Sequence, residues 1–214
     1  MIWNIPNILT IIRIFLVPVF LVFILSPDFP SRLASFFVFI TAAITDFLDG
    51  RIARLFNQRS EFGKFADPLA DKLLVAAALL AFTGIPETRI PLWLVLLIIG
   101  REAGITLLRL YAIHLKTTME TSRFGKCKTF AQMTTIIAIL LLLIIRAGLA
   151  ETSGIKASPE DFWIVFSGHA PWGILLTWLP LILASLTCAL TAFSGLAYLW
   201  ANRALFGKRT RPSD

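Results

Sequence analysis

Four aspartates stand in two closely spaced pairs in the first third of the sequence. Asp46 and Asp49 are three residues apart, and Asp67 and Asp71 are four residues apart. On a helix, either spacing places both carboxylates of a pair on one face. Four carboxylates in one site would repel one another, and divalent cations remove that repulsion because carboxylate oxygens are preferred ligands of Mg²⁺ and Mn²⁺. The pairs therefore predict a site for two such cations, with all four aspartates as ligands.

Residues without bulk accompany these aspartates. Gly50 directly follows the first pair, Ala53 lies about one turn later, and Gly63 precedes the second pair. Such residues let a ligand or another backbone approach closely, although small residues in membrane helices also serve tight packing alone. Arg54 lies about one turn beyond Gly50. Because of that position we expect it to contact a phosphate, whereas some of the other basic residues of the stretch are expected to be membrane-surface anchors.

The elements that must position these residues are long apolar segments. The chain has 214 residues, of which 57% are hydrophobic and 15% charged, and its mean hydropathy is +0.79. A soluble domain needs more charge to cover its surface, and unbroken apolar runs favour membrane helices over a barrel. The sequence therefore predicts a single transmembrane catalytic domain, 1–214, with six helices built on these runs: Ile8–Leu25, Leu33–Leu48, Leu69–Ile85, Pro91–Ile113, Phe130–Leu149 and Trp172–Trp200.

The second and third runs are short for a bilayer, so both helices are expected to extend into the polar residues between them. Lysine and arginine are distributed unevenly between the connections. Twelve lie in the second and fourth connections and the C-terminal tail, against four on the opposite side. Because cytoplasmic loops carry the excess of basic residues, both termini and the aspartate stretch are predicted to be cytoplasmic. Segment 151–171 is expected to be an external loop or interfacial segment.

The formal net charge of the chain is +7. In a membrane chain, such a charge indicates basic loops that face anionic membrane lipid rather than a nucleic-acid partner.

The aspartates and their neighbours together form one long motif, D-x2-D-G-x2-A-R-x8-G-x3-D-x3-D. Eight fixed positions over 26 residues match it: Asp46, Asp49, Gly50, Ala53, Arg54, Gly63, Asp67 and Asp71. This pattern resembles the signature of the CDP-alcohol phosphatidyltransferases. The resemblance implies six transmembrane helices, a homodimer and a polar cavity that faces the cytoplasm. It also implies two metals on the pyrophosphate of a CDP-linked substrate, the small residues and Arg54 beside that substrate, and Asp71 as the general base.

Further stretches extend the resemblance over roughly the first two-thirds of the chain. They read NIPNILTIIRIFLVPVF, EFGKFADPLADKLLV, GREAGITLLR and FGKCKTFAQ, and they are similar to the bacterial phosphatidylglycerophosphate synthases. This branch of the family implies transfer of the phosphatidyl group from CDP-diacylglycerol to glycerol 3-phosphate. The products would be phosphatidylglycerol phosphate and CMP, made in the bacterial cytoplasmic (inner) membrane.

An acceptor that carries its own phosphate asks for arginine or lysine outside the aspartate motif. Five cations are expected to bind it: Arg13, Arg101, Arg109, Lys126 and Lys128. The three arginines fall within apolar runs, where a cation without a role is costly. Other interpretations stay open. Glu102 can pair with Arg101 for structural reasons, and the two lysines are equally suited to anchoring a helix at the membrane surface.

Other functions also stay open on the sequence alone. Within the family, the acceptor is alternatively phosphatidylglycerol, serine or an inositol phosphate. Intramembrane charges also mark the ion pathways of transporters, but no paired halves with broken helices are visible in the sequence. A helical scaffold with solvated acids would not need the eight matched positions. Release of CMP from CDP-diacylglycerol separates an enzyme from a transporter or a scaffold.

Overall fold

The computed structural model of the protein is mainly helical among the residues that it describes. It describes residues 5–55, 61–114, 124–153, 164–165, 171–201 and 203, with side chains for 10–45, 72–108, 128–152, 164–165, 173–201 and 203. Within these ranges every regular element is a helix. The all-α prediction is therefore confirmed for the described residues.

Six long helices, numbered α1 to α6 in chain order, make up most of the described chain. Their bounds are Ile5–Leu25, Phe29–Leu55, Glu61–Thr83, Leu92–His114, Phe124–Ser153 and Pro171–Ala201. Each overlaps one of the predicted apolar runs. Helices α2 and α3 extend beyond their runs into the aspartate stretch, as the shortness of those runs predicts. A short 3-10 turn, Pro86–Thr88, lies between α3 and α4.

The start of α2 is fixed by an acidic cap. Oδ2 of Asp28 accepts a hydrogen bond from the backbone N–H of Ser31 at 3.0 Å, which satisfies a donor that the first helical turn leaves free. Hydrogen bonds from the side chain and backbone of Ser31 hold the pKa of the Asp28 carboxyl below its ordinary value. Residues 26–28 therefore separate the end of α1 at Leu25 from the start of α2 at Phe29.

Packing divides the chain into two compact units, each built from two stretches. The first unit is Met1–Arg89 with Ile136–Pro180, and the second is Ile90–Thr135 with Leu181–Asp214. Within the first unit, α1 packs against α2 and α3, and the rings of Phe20 and Phe39 lie 5.8 Å apart between their centroids. The single catalytic domain over the whole chain stays a prediction.

Apolar side chains also cover much of the outer helix surfaces. Phe15, Val22, Phe130 and Trp200 are all more than two-thirds exposed, which suits helices surrounded by lipid. Among the described residues, two helical segments, Lys128–Thr152 and Gly173–Ala201, are long and apolar enough to cross a bilayer. The count of six crossings stays a prediction.

Candidate active site

The two aspartate pairs lie on two helices that contact each other in the first unit. Asp46 and Asp49 lie in the C-terminal half of α2, and Asp67 and Asp71 lie in the N-terminal half of α3. Both helices run unbroken through their pairs, so the spacings of three and four residues place each pair on one helix face. The side chains of all four aspartates lie outside the described residues. Their roles as metal ligands, and that of Asp71 as base, stay predictions.

The small residues of the motif lie on the same two helices. Gly50, Ala53 and Arg54 follow the first pair within α2, and Gly63 lies in the first turn of α3. Their side chains also lie outside the described residues, so contact with a CDP-linked substrate stays a prediction. A donor set of four carboxylates, two from each of two contacting helices, fits hard divalent cations in its chemistry.

The second unit holds a described cluster of charged side chains around Glu102 of α4. Nζ of Lys128, near the start of α5, lies 2.5 Å from Oε1 of Glu102. Nη1 of Arg101 lies 3.4 Å from the same oxygen atom. The exposed fractions of the Arg101, Glu102 and Lys128 side chains are 14%, 21% and 13%. One carboxylate thus holds two of the five predicted acceptor cations, and the cluster keeps a surplus of positive charge.

Helix α6 supplies further contacts to Arg101 within the same unit. Nη2 of Arg101 donates a hydrogen bond to Oγ of Ser194 at 3.1 Å. The next residue, Gly195, lies so close that a Cβ atom built on it would be 2.8 Å from Nε of Arg101. Neither of these two residues of α6 is among the site residues predicted from the sequence. Two adjacent small residues in an apolar helix are the signal that could have indicated a close approach.

The other predicted acceptor cations are placed by their helices alone or lie elsewhere. Arg109 is on α4, eight residues after Arg101, and Lys126 is on α5, two residues before Lys128; both side chains lie outside the described residues. Arg13 lies in α1, in the first unit, with only 1% of its surface exposed. The structure therefore brings together Arg101 and Lys128, and phosphate binding by all five cations stays a prediction.

A different charged cluster lies in the first unit, at the ends of α2 and α3 opposite to the aspartates. Nη2 of Arg32, in the first turn of α2, lies 3.8 Å from Oε1 of Glu87 in the 3-10 turn. Arg146 of α5 also interacts electrostatically with Glu87. The guanidinium of Arg89 lies 4.5 Å from the ring centroid of Trp178. On the sequence alone, these arginines count only as basic residues of the external side.

The connection that carries Glu87 is held in place by hydrogen bonds from a side-chain hydroxyl to backbone carbonyl groups. Thr88 is fully buried, and its hydroxyl donates to the carbonyl oxygens of Phe82 and Ile85 at 2.6 and 2.9 Å. Arg89 then adopts the left-handed conformation with a φ of 55°, which is uncommon for a residue other than glycine. The turn thus fixes where Glu87 and Arg89 leave the backbone.

With the helices and the charged clusters in place, sequence comparison defines the class of protein. The sequence model of the CDP-alcohol phosphatidyltransferase family matches residues 3–157, which include α1 to α5 and the whole aspartate motif. The chain belongs to the CDP-alcohol phosphatidyltransferase family. It is a phosphatidyltransferase with membrane-spanning helices, and α6 lies beyond the matched residues.

Individual relatives of the chain share one enzyme name within this family. The chain is similar to proteins named CDP-diacylglycerol–glycerol-3-phosphate 3-phosphatidyltransferase from three bacteria. The Bacillus subtilis protein is 40% identical over 151 residues, covering 65% of this chain and 77% of the relative. The Pseudomonas fluorescens protein is 40% identical over 175 residues, covering 80% and 87%. The Cereibacter sphaeroides protein is 35% identical over 215 residues, covering 92% and 94%.

Proposed function

We propose that the chain transfers the phosphatidyl group of CDP-diacylglycerol to glycerol 3-phosphate, with phosphatidylglycerol phosphate and CMP as products. The observation that carries the proposal is the similarity to relatives named for this reaction. One of them is matched over 92% of this chain at 35% identity. The full aspartate motif on the contacting helices α2 and α3 supports the same conclusion from the residues.

In this proposal, the donor substrate CDP-diacylglycerol binds at α2 and α3. Asp46, Asp49, Asp67 and Asp71 would hold two divalent cations, Mg²⁺ or Mn²⁺, by their carboxylate oxygens. When bound, such cations neutralise the anionic oxygens around the phosphorus and stabilise the leaving phosphate. Gly50, Ala53 and Gly63 leave room beside the aspartates for the CDP group. Arg54 contributes a positive charge toward its pyrophosphate.

The transfer replaces a phosphoanhydride bond with an ester bond at the phosphorus that carries diacylglycerol. A hydroxyl oxygen of glycerol 3-phosphate forms a bond to this phosphorus, and the bond from phosphorus to the bridging oxygen of CMP breaks. The proton of the attacking hydroxyl goes to the carboxylate of Asp71, and CMP leaves with the electron pair of the broken bond. A carboxylate serves as base here because the hydroxyl loses its proton as it attacks.

In this proposal, the acceptor substrate glycerol 3-phosphate binds to the cations of α4 and α5. Arg101 and Lys128 share Glu102, so this group keeps a net positive charge in partly desolvated surroundings. A phosphate group of the acceptor complements that charge, and the guanidinium fork suits two phosphate oxygens at once. Serine lacks a phosphate and offers the guanidinium fork only its single carboxylate. Arg109 and Lys126, on the same two helices, are proposed as further contacts of the same phosphate, and the assignment of Arg13 stays a prediction from the sequence.

The cellular setting follows from the family and the charge distribution. We infer a multi-pass protein of the bacterial cytoplasmic (inner) membrane, with six crossings and with both termini and the aspartates on the cytoplasmic side. The excess of basic residues in the connections near the aspartates supports this orientation. A homodimer is proposed from the family resemblance, and membrane lipid is the expected surrounding partner.

A panel of acceptors tests the proposed reaction. Purified protein in detergent receives CDP-diacylglycerol with Mg²⁺ or Mn²⁺ and, in separate reactions, glycerol 3-phosphate, phosphatidylglycerol, serine or an inositol phosphate. We expect release of CMP to depend on glycerol 3-phosphate, with equal formation of phosphatidylglycerol phosphate. Faster CMP release with another acceptor would move the chain to another branch of the family. Absence of CMP release with all four acceptors would contradict an enzymatic function.

A further inference from the structure

The side chain of Arg101 is held from α6, a helix beyond the residues that match the family model. Its Nη2 atom donates to Oγ of Ser194 at 3.1 Å, across 93 positions of sequence. Ser194 is itself only 4% exposed. A buried hydroxyl of this kind needs a partner, and the guanidinium provides one.

Gly195 makes the close approach of Arg101 possible. A Cβ atom on this residue would lie 2.8 Å from Nε, 3.2 Å from Cγ and 3.6 Å from Cδ of Arg101. These atoms form the middle of the arginine side chain, so any larger residue would push the whole guanidinium away from its observed position. Nε is buried against this helix and, among the described residues, has no hydrogen-bond partner. Packing against Gly195 therefore fixes where Arg101 can lie.

Two of the five guanidinium N–H groups are used by the described partners of Arg101, Glu102 and Ser194. Arginine side chains lose considerable rotamer freedom when they bind a ligand, and a guanidinium that is already fixed loses less of it. A phosphate that meets a fixed fork therefore binds more tightly than one that must order a mobile side chain.

We propose that Ser194 and Gly195 are positioning residues for Arg101 and thereby set the affinity for the phosphate of the acceptor. This inference rests on the proposed function, in which Arg101 binds that phosphate. It gives α6 a part in acceptor recognition. Neither residue needs to touch the acceptor for this effect.

Kinetics of variants in the full chain test the proposal. Ser194→Ala removes the acceptor of the Arg101 hydrogen bond and should raise KM for glycerol 3-phosphate about fivefold, the scale of one typical intramolecular hydrogen bond. Gly195→Ala should raise the same KM at least as much. In both variants, kcat and KM for CDP-diacylglycerol should stay within about twofold of the wild type, because only the orientation of Arg101 changes. Ser194→Thr keeps the hydroxyl and should restore the wild-type KM.

Two controls separate positioning from general packing. Thr187 of α6 shares a buried hydroxyl–hydroxyl hydrogen bond of 2.7 Å with Thr135, and Thr187→Val removes a comparable bond of the same helix without touching Arg101. We expect this variant to keep its KM for glycerol 3-phosphate. Melting temperatures of all variants show whether the protein still folds. An equal rise of KM in Thr187→Val, or unchanged KM in both Ser194→Ala and Gly195→Ala, would overturn the proposal.

A double-mutant cycle distinguishes failure of this inference from failure of the proposed function. In an Arg101→Gln background, Gly195→Ala should cause no further rise of KM, because its effect passes through Arg101. Additive effects of the two substitutions would overturn the positioning role. If Arg101→Gln alone leaves KM for glycerol 3-phosphate unchanged, the phosphate-binding role of Arg101 is wrong, and the positioning role for acceptor affinity fails with it.

Discussion

Two clusters in this protein each place one glutamate beside basic side chains, and they differ in their surroundings. Glu87 interacts with Arg32 and Arg146 in the first unit. Glu102 interacts with Arg101 and Lys128 in the second unit. The Arg32 side chain is 4% exposed, whereas Arg101 and Lys128 are each more than three times as exposed. The first cluster is therefore the more buried of the two, although its Glu87 side chain is 14% exposed.

The surroundings of a buried cation, rather than its presence alone, distinguish a structural role from a ligand-binding role. Arg32 precedes Asp46 by 14 residues on the same helix, which separates the two along the helix axis by about 21 Å. The Glu87 cluster therefore joins the far ends of α2, α5 and the turn before α4, and its role is structural. The Glu102 cluster joins α4 to α5, and Arg109 lies further along α4.

The largest difference between the clusters is expected in substrate affinity. Arg101→Gln removes charge-assisted hydrogen bonds and should raise KM for glycerol 3-phosphate about tenfold or more. The matched variant in the other cluster, Arg146→Gln, should change neither KM by more than about twofold, because it lies at the end remote from the chemistry. Steady-state kinetics with each substrate varied in turn make the comparison. Equal KM effects in the two variants would erase the functional distinction.

The two clusters should also differ, by a smaller amount, in how much they stabilise the fold, and here the larger effect is expected in the Glu87 cluster. Glu87→Gln removes the acid of a buried group and should destabilise the protein by about 3 kcal/mol, near the lower end of the cost of breaking such a pair. Glu102→Gln should cost about 1 kcal/mol, since its more exposed group is better screened. Melting temperatures in detergent measure both. A greater loss of stability in Glu102→Gln would show that the second cluster, too, is mainly structural.

Much of this arrangement could be predicted from the sequence because it depends on local patterns. The apolar runs predicted all six described helices, and the lengths of the second and third runs predicted their extension through the aspartate motif. Helix α2 begins at Phe29, a few residues before the predicted apolar run, because a hydrogen bond to the Asp28 side chain caps the helix there. The motif itself led to the family, which the comparison with known sequences confirms.

Contacts between distant parts of the chain could not be predicted in this way. Lys128 is as suitable for a membrane anchor as for a site, and only its approach to Glu102 distinguishes the two. The hydrogen bond between Arg101 and Ser194 joins two residues that are 93 positions apart in sequence. No periodic pattern in the sequence indicates a contact over that separation. On the sequence alone, Arg146 is only a basic residue at a helix end, whereas its electrostatic interaction with Glu87 depends on how α5 packs near the 3-10 turn.

The most direct test of the central claim is the metal-dependent rate of phosphatidyl transfer in single asparagine variants of the aspartate motif. Labelled glycerol 3-phosphate is followed into lipid with Mg²⁺, with Mn²⁺ and with a chelator. The wild type should lose its activity with the chelator and regain it with either metal. Asp28→Asn, which keeps a capping side chain outside the motif, serves as the control and should stay active.

The variants are Asp46→Asn, Asp49→Asn, Asp67→Asn and Asp71→Asn. Each should be slower than the wild type by at least about a hundredfold, because each removes a ligand or the base of one shared site. Near-normal transfer in any two of these variants, or undiminished transfer in the presence of the chelator, would contradict the assignment of the reaction to the aspartates of α2 and α3.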